Sequence, residues 1–471
     1  MSTSKEPKPL IFSAFVMNTV SHITQGTWTN PNAGERDFNS LQHWVDLAKT
    51  LERGKFDAIF FADVVGVYGP HRGDYRKYVE AGLQIPSNDP LVLASALASH
   101  TEHLGIAITS APVQASPFTF ARQLSTLDHL SNGRIAWNIV TSYLENAFKN
   151  YGYHDIVPHD ERYAWAEEYL EVVYKLWEGS WEDDALLQDV ESKLHADYDK
   201  IHKIHHEGKR YSVEGPHLVT PSPQRTPLLF QAGASEVGRE FAARNAEATF
   251  FNAANPEGAK KHIDDVRARA QRYGRNPDDV KFFPGLTFVI GSTEEEAQRK
   301  NAELEETIDF DAHLAHFAGS TGVDLGHHDL DDPIGVLETE GIQSLIDVVK
   351  QAVVGREPVV RDLSRLVAGQ NRVVGTPEQI ADRLETWRDA GIDGVNIINV
   401  NRPQSYEEFI DHVVPVLQDR GLHQREYEEG SLRKKLFGFD RLPERHQASV
   451  YRESVKENAQ AVEKEASASI S

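Results

Sequence analysis

Two polar residues stand where otherwise apolar, strand-like segments are interrupted or end. Asn138 interrupts the apolar run 134–142, and Asp63 closes the run 56–63. A buried amide costs free energy unless it is hydrogen-bonded, so Asn138 could simply pair with neighbouring backbone. Asp63 could likewise cap a helix or loop. In an α/β barrel, however, polar groups at the carboxyl ends of strands bind ligands. Taken alone, each residue favours the structural interpretation.

A third candidate is the turn Gly233-Ala234-Ser235-Glu-Val-Gly238, which follows the apolar segment starting at Leu228. It is one residue too long for a G-x-S-x-G nucleophile elbow. A strand followed by Gly-x-Ser and a helix also describes a phosphate site, where backbone N–H groups and the hydroxyl face an anion. The alternative is a simple N-cap serine. The turn by itself supports the two interpretations about equally.

The histidines give weaker indications of a functional site than the residues at the strand ends. One group with the spacing of metal ligands lies in a polar, turn-rich segment: His202, His205, His206 and Glu207. A second group is His327 and His328 among aspartates. Neither has a second matching cluster, so solvated loops are favoured and we expect no metal. Three lone histidines, a class that is more often structural, are His22, His159 and His316.

The elements that must position these residues alternate regularly. Strand-like and helical patterns alternate about eight times, which is typical of parallel βαβ units and favours a TIM (β/α)8 barrel. We expect one domain over residues 1–452, with two large insertions at about 178–227 and 293–374 and a C-terminal extension. The charged end, 453–471, is predicted to be a disordered tail.

Composition excludes several classes of function. The 471 residues include no Cys and carry a net charge of −23. Thiol catalysis and Cys-ligated zinc are therefore excluded, and nonspecific attraction to nucleic acid or anionic membranes is disfavoured. There is no G-x-G-x-x-G after the first strand, no P-loop and no apolar run near ~18 residues. We expect a cytoplasmic protein without a nucleic-acid or membrane partner.

Several motifs recur in a familiar order. They include Leu51-Glu-Arg-Gly-Lys-Phe-Asp57, Gly133-Arg-x-x-Trp137-Asn-x-Val-Thr141, His159-Asp-x-Arg-Tyr163, Pro221-Ser-Pro-Gln224 and Gln231-Ala-Gly233. From about Ile11 to Arg452 the chain resembles the luciferase-like flavin monooxygenases. The resemblance is to the group of nitrilotriacetate, dibenzothiophene-sulfone, long-chain alkane and dimethyl sulfide monooxygenases. It implies a TIM barrel that uses reduced FMN, delivered by a separate NAD(P)H:flavin reductase, and O₂.

The resemblance also implies roles for individual residues. The implied FMN contacts are Asp63, Thr109, Asn138, His159, Tyr163, Gly233, Ala234 and Ser235. The implied residues on the substrate side are His22, Tyr68, Gln84 and His316. The histidines would transfer protons or stabilise the reacting oxygen, while Tyr68 and Gln84 would orient the substrate. Similarity to alkane monooxygenase would imply a Cys at Thr19 and a His at Tyr143, so these departures weigh against an alkane.

The expected function is a two-component monooxygenase, a homodimer or homotetramer, acting on a small, mainly apolar sulfide, sulfone or alkane. Thr19 favours sulfur compounds over alkanes as the expected substrate. Two alternatives share the barrel: an aminopolycarboxylate monooxygenase and an F420-dependent oxidoreductase. The first would use the loop cations after the second strand: His71, Arg72, Arg76 and Lys77. A catalytically inactive flavin-binding or luminescent protein is the alternative outside this class of enzymes.

Overall fold

A closed barrel of eight parallel strands forms the centre of the computed structural model, which describes residues 9–69, 71–321, 323–337 and 343–470. The strands are β1 (Ile11–Met17), β2 (Ala58–Ala62), β3 (Gly105–Ser110), β4 (Ile135–Ile139), β5 (Leu228–Gln231), β6 (Ala248–Phe251), β7 (Lys281–Ile290) and β8 (Gly394–Ile398). Each pairs in parallel with the next, and β8 returns to β1. The predicted TIM barrel is confirmed.

Alternation along the strands separates two cores. Phe15, Phe60, Phe230 and Phe283 belong to the cluster that fills the barrel. Their neighbours in sequence, such as Phe61 and Phe282, join the cluster between barrel and helices. Period-2 alternation with both faces buried explains why these segments read as nearly continuous apolar runs.

Helices surround the barrel and cover its ends. They are α1 (Leu41–Arg53), α2 (Arg76–Glu80), α3 (Pro90–Ala98), α4 (Pro117–Leu130), α5 (Glu145–Asn150), α6 (His159–Tyr174), α7 (Glu236–Asn245), α8 (Pro256–Arg272), α9 (Glu294–Thr307), α10 (Phe310–Thr321), α11 (Gln343–Ala352), α12 (Val360–Gly369), α13 (Pro377–Asp389), α14 (Gln404–Glu408), α15 (Val414–Asp419), α16 (Leu432–Phe437) and α17 (Tyr451–Ile470). In the described residues, no helix is both long and apolar enough to cross a membrane.

Two long segments interrupt the strand–helix alternation. The segment between α6 and β5 contains two small antiparallel sheets, formed by Leu186–Asp189 with Leu194–Ala196 and by His206–Glu207 with Ser212–Val213. The segment between β7 and α13 contains α9 to α12 and a strand, Arg372–Gly375, that pairs with the far end of β7. Among the described residues, no group of three or more His, Asp or Glu side chains is arranged to hold a metal ion.

The C-terminal region differs from the sequence-based expectation. Leu432 on α16 joins the cluster inside the barrel and packs against Gly105 at the start of β3, so it closes the N-terminal end. The predicted disordered tail is instead the helix α17, as far as the structure describes it. Val455 and Ala459 lie one helical turn apart on its buried face, and Val455 packs against Gly179. This single apolar stripe contributes too few residues to change the charged composition on which the prediction of disorder rested.

Candidate active site at the barrel mouth

Three side chains predicted for the substrate side meet above the C-terminal ends of the strands. The Tyr68 hydroxyl lies 2.9 Å from Gln84 Oε1 and 3.4 Å from His316 Nε2. Gln84 Nε2 lies 3.2 Å from the same His316 nitrogen. Tyr68 and Gln84 come from the long loop after β2, and His316 comes from α10, more than 200 residues later. The structure therefore brings these predicted residues together.

His22, on the loop after β1, borders the same cluster. Its backbone carbonyl lies 3.5 Å from Gln84 Nε2, and its ring packs on Phe15 at 4.8 Å between centroids. Burial, then His316 and Arg402, lower the pKa of His22 to about 3. Burial lowers the pKa of His316 to about 4. Both imidazoles are therefore neutral near pH 7 and can contribute hydrogen bonds but no charge.

Tyr143 completes the cluster, although the sequence analysis noted it only as a departure from the alkane enzyme. Its hydroxyl lies 2.8 Å from the Tyr68 hydroxyl. The Gln84 carbonyl oxygen can only accept, so the Tyr68 hydroxyl donates to it and Tyr143 donates to Tyr68. The residue is 45% exposed, yet burial of its hydroxyl raises the pKa of Tyr143. Its ring therefore faces open space at the mouth while its hydroxyl is committed to the protein.

The loop that carries His22 is fixed from below by a buried cation. Arg402 donates from Nη1 to the Met17 carbonyl at 2.9 Å and from Nη2 to the Thr19 carbonyl at 2.7 Å. Its guanidinium lies over the Trp44 ring at 4.7 Å. The Thr19 hydroxyl donates to the Pro86 carbonyl at 2.6 Å, so its proton is not available to a ligand. This loop is held in one arrangement by the fold itself.

The residues predicted to contact the flavin ring start with Asn138 and Thr109, which face each other across β4 and β3. Asn138 Nδ2 donates to Thr109 Oγ1 at 2.9 Å, and Thr109 donates to the Phe61 carbonyl at 2.7 Å. Half of the Asn138 amide is thus satisfied by the protein. Its Oδ1 is buried without a partner. An unpartnered buried carbonyl oxygen suits a ligand that donates an N–H or O–H there.

Asp63 follows β2 and lines a cavity of about 360 Å³ that Gln84 also borders. Burial, and then the Asp89 carboxylate, raise the pKa of Asp63 to about 7, against hydrogen bonds from the Val64 backbone and Gln114. The carboxyl group therefore changes its protonation near neutral pH. One cavity contacts both the flavin-side and the substrate-side residues.

The N-terminal ends of α6 and α7 lie close together at the Gly233–Ser235 turn. Ser235 caps α7 and accepts from the Gly238 N–H at 3.0 Å. The Tyr163 hydroxyl on α6 lies beside this turn, because a Cβ on Gly238 would approach it to 2.7 Å. A Cβ on Gly233 would collide with Gln231 Nε2 and approach the Tyr163 hydroxyl to 3.0 Å. Gly233 therefore packs closely against both side chains, and the turn leaves backbone N–H groups and a hydroxyl at a helix N-terminus.

Two further predicted residues lie at this position in different settings. His159 begins α6 and its ring lies 5.2 Å from that of Tyr163. Its side chain is 47% exposed, and Nδ1 lies 2.9 Å from Asp160 Oδ1. Ala234 is exposed, and its carbonyl accepts from Arg239 at 2.6 Å. The sequence analysis quoted Gln231 in a motif but gave it no role; it is buried beside Tyr163 with Oε1 unpartnered.

These residues fit a flavin mononucleotide. Unpartnered acceptors at Asn138 and Gln231 suit ring N–H and ribityl hydroxyl donors. The Gly233–Ser235 turn suits a phosphate, because backbone N–H groups at a helix N-terminus bind anions. The site therefore combines uncharged acceptors that suit the flavin ring and ribityl chain with a helix N-terminus that suits the phosphate.

Comparison with known proteins identifies the family. Residues 15–394 match the family described as luciferase-like monooxygenase. The chain is 45% identical to long-chain alkane monooxygenase of Geobacillus thermodenitrificans, covering 94% of this chain and 98% of that protein. It is 43% identical to dimethyl-sulfide monooxygenase of Hyphomicrobium sulfonivorans, covering 95% and 94%. It is 35% identical to nitrilotriacetate monooxygenase component A of Aminobacter aminovorans, covering 88% and 94%.

Solved structures agree with the sequence comparison. The crystal structure of long-chain alkane monooxygenase matches with a TM-score of 0.87, covering 94% of this chain and all of that one. The structure of the Hyphomicrobium sulfonivorans enzyme matches with a TM-score of 0.89, covering 94% and 96%. The predicted resemblance is confirmed. The chain belongs to the luciferase-like monooxygenase family and is an oxidoreductase of that class.

Proposed function

We propose that this chain is the oxygenating component of a two-component system that uses reduced FMN, supplied by a separate NAD(P)H:flavin reductase, and O₂. The observation that carries the proposal is the mouth itself. Three features support it: the helix start at the Gly233–Ser235 turn, the buried and unpartnered Asn138 Oδ1, and the hydrogen-bonded cluster of Tyr68, Gln84 and His316. Reduced flavin, when bound, supplies the electrons that activate O₂.

The protein's own contribution is to position groups and to exclude water. Neutral His22 and His316 offer hydrogen bonds to reacting oxygen without adding positive charge. The directed chain from Tyr143 through Tyr68 to Gln84 fixes each hydroxyl proton, so the resting site has little freedom to reorient. The helix α10 brings His316 to Tyr68 and Gln84, which are buried, while the Tyr143 ring stays exposed.

The substrate we propose is small and mainly apolar, with sulfides and sulfones ahead of alkanes. Three of the four loop cations that could bind a polycarboxylate, namely Lys77, Arg72 and His71, lie beside carboxylates. Lys77 Nζ lies 2.9 Å from Asp309 and 3.1 Å from Asp311. Arg72 lies 3.4 Å from Asp311, and His71 lies 3.4 Å from the same residue. A nitrilotriacetate-type substrate would have to displace these pairs, so the arrangement argues against that alternative.

The cofactor assignment is tested by flavin titration of variants. Asp63→Ala and Ser235→Ala should each weaken FMN binding by about 1–3 kcal/mol, the loss typical of a buried or charged hydrogen bond. Asn255→Ala is the matched control, because Asn255 caps α8 as Ser235 caps α7 but lies outside the proposed site. Unchanged FMN affinity in both site variants would reject this placement of the cofactor.

The substrate class is tested with the reductase present. A dialkyl sulfide, an alkane and an aminopolycarboxylate are compared at equal enzyme and reductase concentrations. We expect turnover with the sulfide to exceed the other two. Preference for the aminopolycarboxylate, lost in Arg72→Ala, would contradict the proposal.

We also propose a homodimer or homotetramer, which native mass spectrometry would check directly.

A further inference from the structure

A buried acid and a buried cation lie behind the loop that carries His22, and each has one polar atom without a hydrogen bond. Glu35, in the 3-10 turn Gly34–Asp37, and Arg402, after β8, both expose only 3% of their surface. Glu35 Oε1 accepts from the Arg402 backbone N–H and from Asn399, whereas Oε2 is buried without a partner among the described residues. Arg402 directs Nη1 and Nη2 at backbone carbonyls, and its Nε is also buried and unpartnered. Leaving such atoms unsatisfied costs free energy.

Glu35 and Arg402 line one small cavity, and His22 lines it as well. The volume of this cavity is about 10 Å³. A single buried water needs about 10–15 Å³ and two to four polar partners. Glu35 Oε2 and Arg402 Nε supply two such partners from opposite charges. The cavity therefore has the size and the polarity of a site for one water molecule.

His22 supplies the third contact that such a water needs. The hydrogen bonds that His22 makes to Gln25 and Gln84 run through its backbone carbonyl and leave the ring free. The ring packs on Phe15 and is close enough to Arg402 for that charge to contribute, after burial and His316, to its lowered pKa. Packing against a ring face does not decide which imidazole nitrogen carries the proton. A hydrogen bond to one ring nitrogen would decide it.

We propose that Glu35 is a positioning residue for His22, acting through one water molecule held between Glu35 Oε2, Arg402 Nε and a His22 ring nitrogen. The inference rests on the proposed function for the role of His22 and adds the group that orients this histidine. Arg402 donates to the water oxygen, an ionised Glu35 accepts one water proton, and His22 accepts the other. The proton of the neutral imidazole is then confined to its second nitrogen. His22 thereby has one fixed donor to offer to the reacting oxygen.

A crystal structure of the wild-type protein tests the water directly. One ordered water is expected within about 3.2 Å of Glu35 Oε2, Arg402 Nε and a His22 ring nitrogen. In Glu35→Met this water should be lost, because the variant removes its acceptor. A dry cavity in the wild type, or a water that does not reach His22, would overturn the inference whatever the activity.

The kinetic test compares two substitutions of Glu35 in the reductase-coupled assay. Glu35→Met should lower kcat by about tenfold to hundredfold, the scale of a misplaced reacting group, and leave the substrate KM within about twofold of wild type. Glu35→Gln should lose less, because its amide still hydrogen-bonds the water. Its carbonyl oxygen also keeps the bonds of Oε1 to Arg402 and Asn399, so this variant preserves the local fold. FMN affinity, read by fluorescence titration, should be unchanged in both variants.

Asp128→Asn is the matched control, because it also removes the charge of a fully buried carboxylate. Asp128 accepts from Gln224 at 2.7 and 3.0 Å, and it lies on α4 just before β4, at the end of the barrel opposite the mouth. Its kcat should stay within about twofold of wild type. Equal kcat values in Glu35→Met and Asp128→Asn would overturn the inference while leaving the flavin site standing. A wild type that binds no FMN would instead overturn the proposed function, and the crystal structure would still decide whether the water is present.

Discussion

Replacing Lys77 with Met should loosen the helix that carries His316 over the barrel mouth. Lys77 on α2 contacts Asp309 and Asp311 at the start of α10, with Nζ to oxygen distances of 2.9 and 3.1 Å. The Tyr78 hydroxyl adds a bond to the Ala315 carbonyl at 3.0 Å. Met keeps an unbranched apolar stem of similar length and removes the ammonium alone. The change therefore tests the ion pairs rather than the packing.

The expected size follows from the exposure of the three side chains. Lys77, Asp309 and Asp311 expose 22%, 35% and 22% of their side-chain surface, so values for partly exposed pairs apply. Two pairs at about 0.5–1 kcal/mol each give about 1–2 kcal/mol. Because 1.4 kcal/mol corresponds to a factor of ten, the opening equilibrium of α10 should increase about 5- to 30-fold. The Arg72 contact to Asp311 remains and limits the effect.

Hydrogen exchange of peptides from Phe310–Thr321, read by mass spectrometry, measures this opening. Peptides from β3 and β4 should keep their protection in the same sample. Lys260→Met is the control, because Lys260 makes a similar pair with Asp264 on the exposed surface of α8. Unchanged exchange of α10 in Lys77→Met, or an equal increase in Lys260→Met, would refute the idea that these pairs hold the helix down.

Four further outcomes are expected. The purified chain should not oxidise NADH alone, and added flavin reductase with FMN should start turnover; rapid NADH consumption without reductase would contradict the two-component proposal. His316→Gln should lower turnover. The wild-type rate should show no imidazole titration between about pH 6 and 9, because the pKa values of His22 and His316 are lowered to about 3 and 4. Burial raises the folded pKa of Asp63 to about 7. The penalty for burying its charge is therefore absent at low pH and destabilises the fold increasingly as pH rises from about 4 to 7. Asp63→Asn should raise the unfolding temperature more at pH 8 than at pH 5, and a difference independent of pH would disprove this. Exchange of α10 should slow when flavin and substrate bind, and equal exchange in both states would mean that the helix is fixed scaffold.

The sequence by itself determined the architecture and the polar residues that interrupt or end the strands. Eight apolar runs separated by amphipathic helices specify a parallel barrel, because strands buried on both faces need apolar side chains at nearly every position. Polar residues in or directly after such runs, such as Asn138 and Asp63, are therefore conspicuous in the sequence alone. Ser235 is likewise recognisable as a helix start. These signals are local, and the chain carries each of them within about ten residues.

Tertiary structure decided how the site is assembled. His316 meets Tyr68 only because the segment between β7 and α13 folds back over the mouth, a contact across 248 positions in sequence. Tyr143 joins the site through its hydrogen bond to Tyr68, and Gln231 joins it by packing beside Tyr163 and Gly233; no local pattern encodes either contact. In the sequence, Arg72 and Lys77 are available to bind a polycarboxylate, but the fold places Asp309 and Asp311 beside them. Whether a charged side chain is free or paired depends on which distant segment packs against it, and residue spacing alone cannot show that.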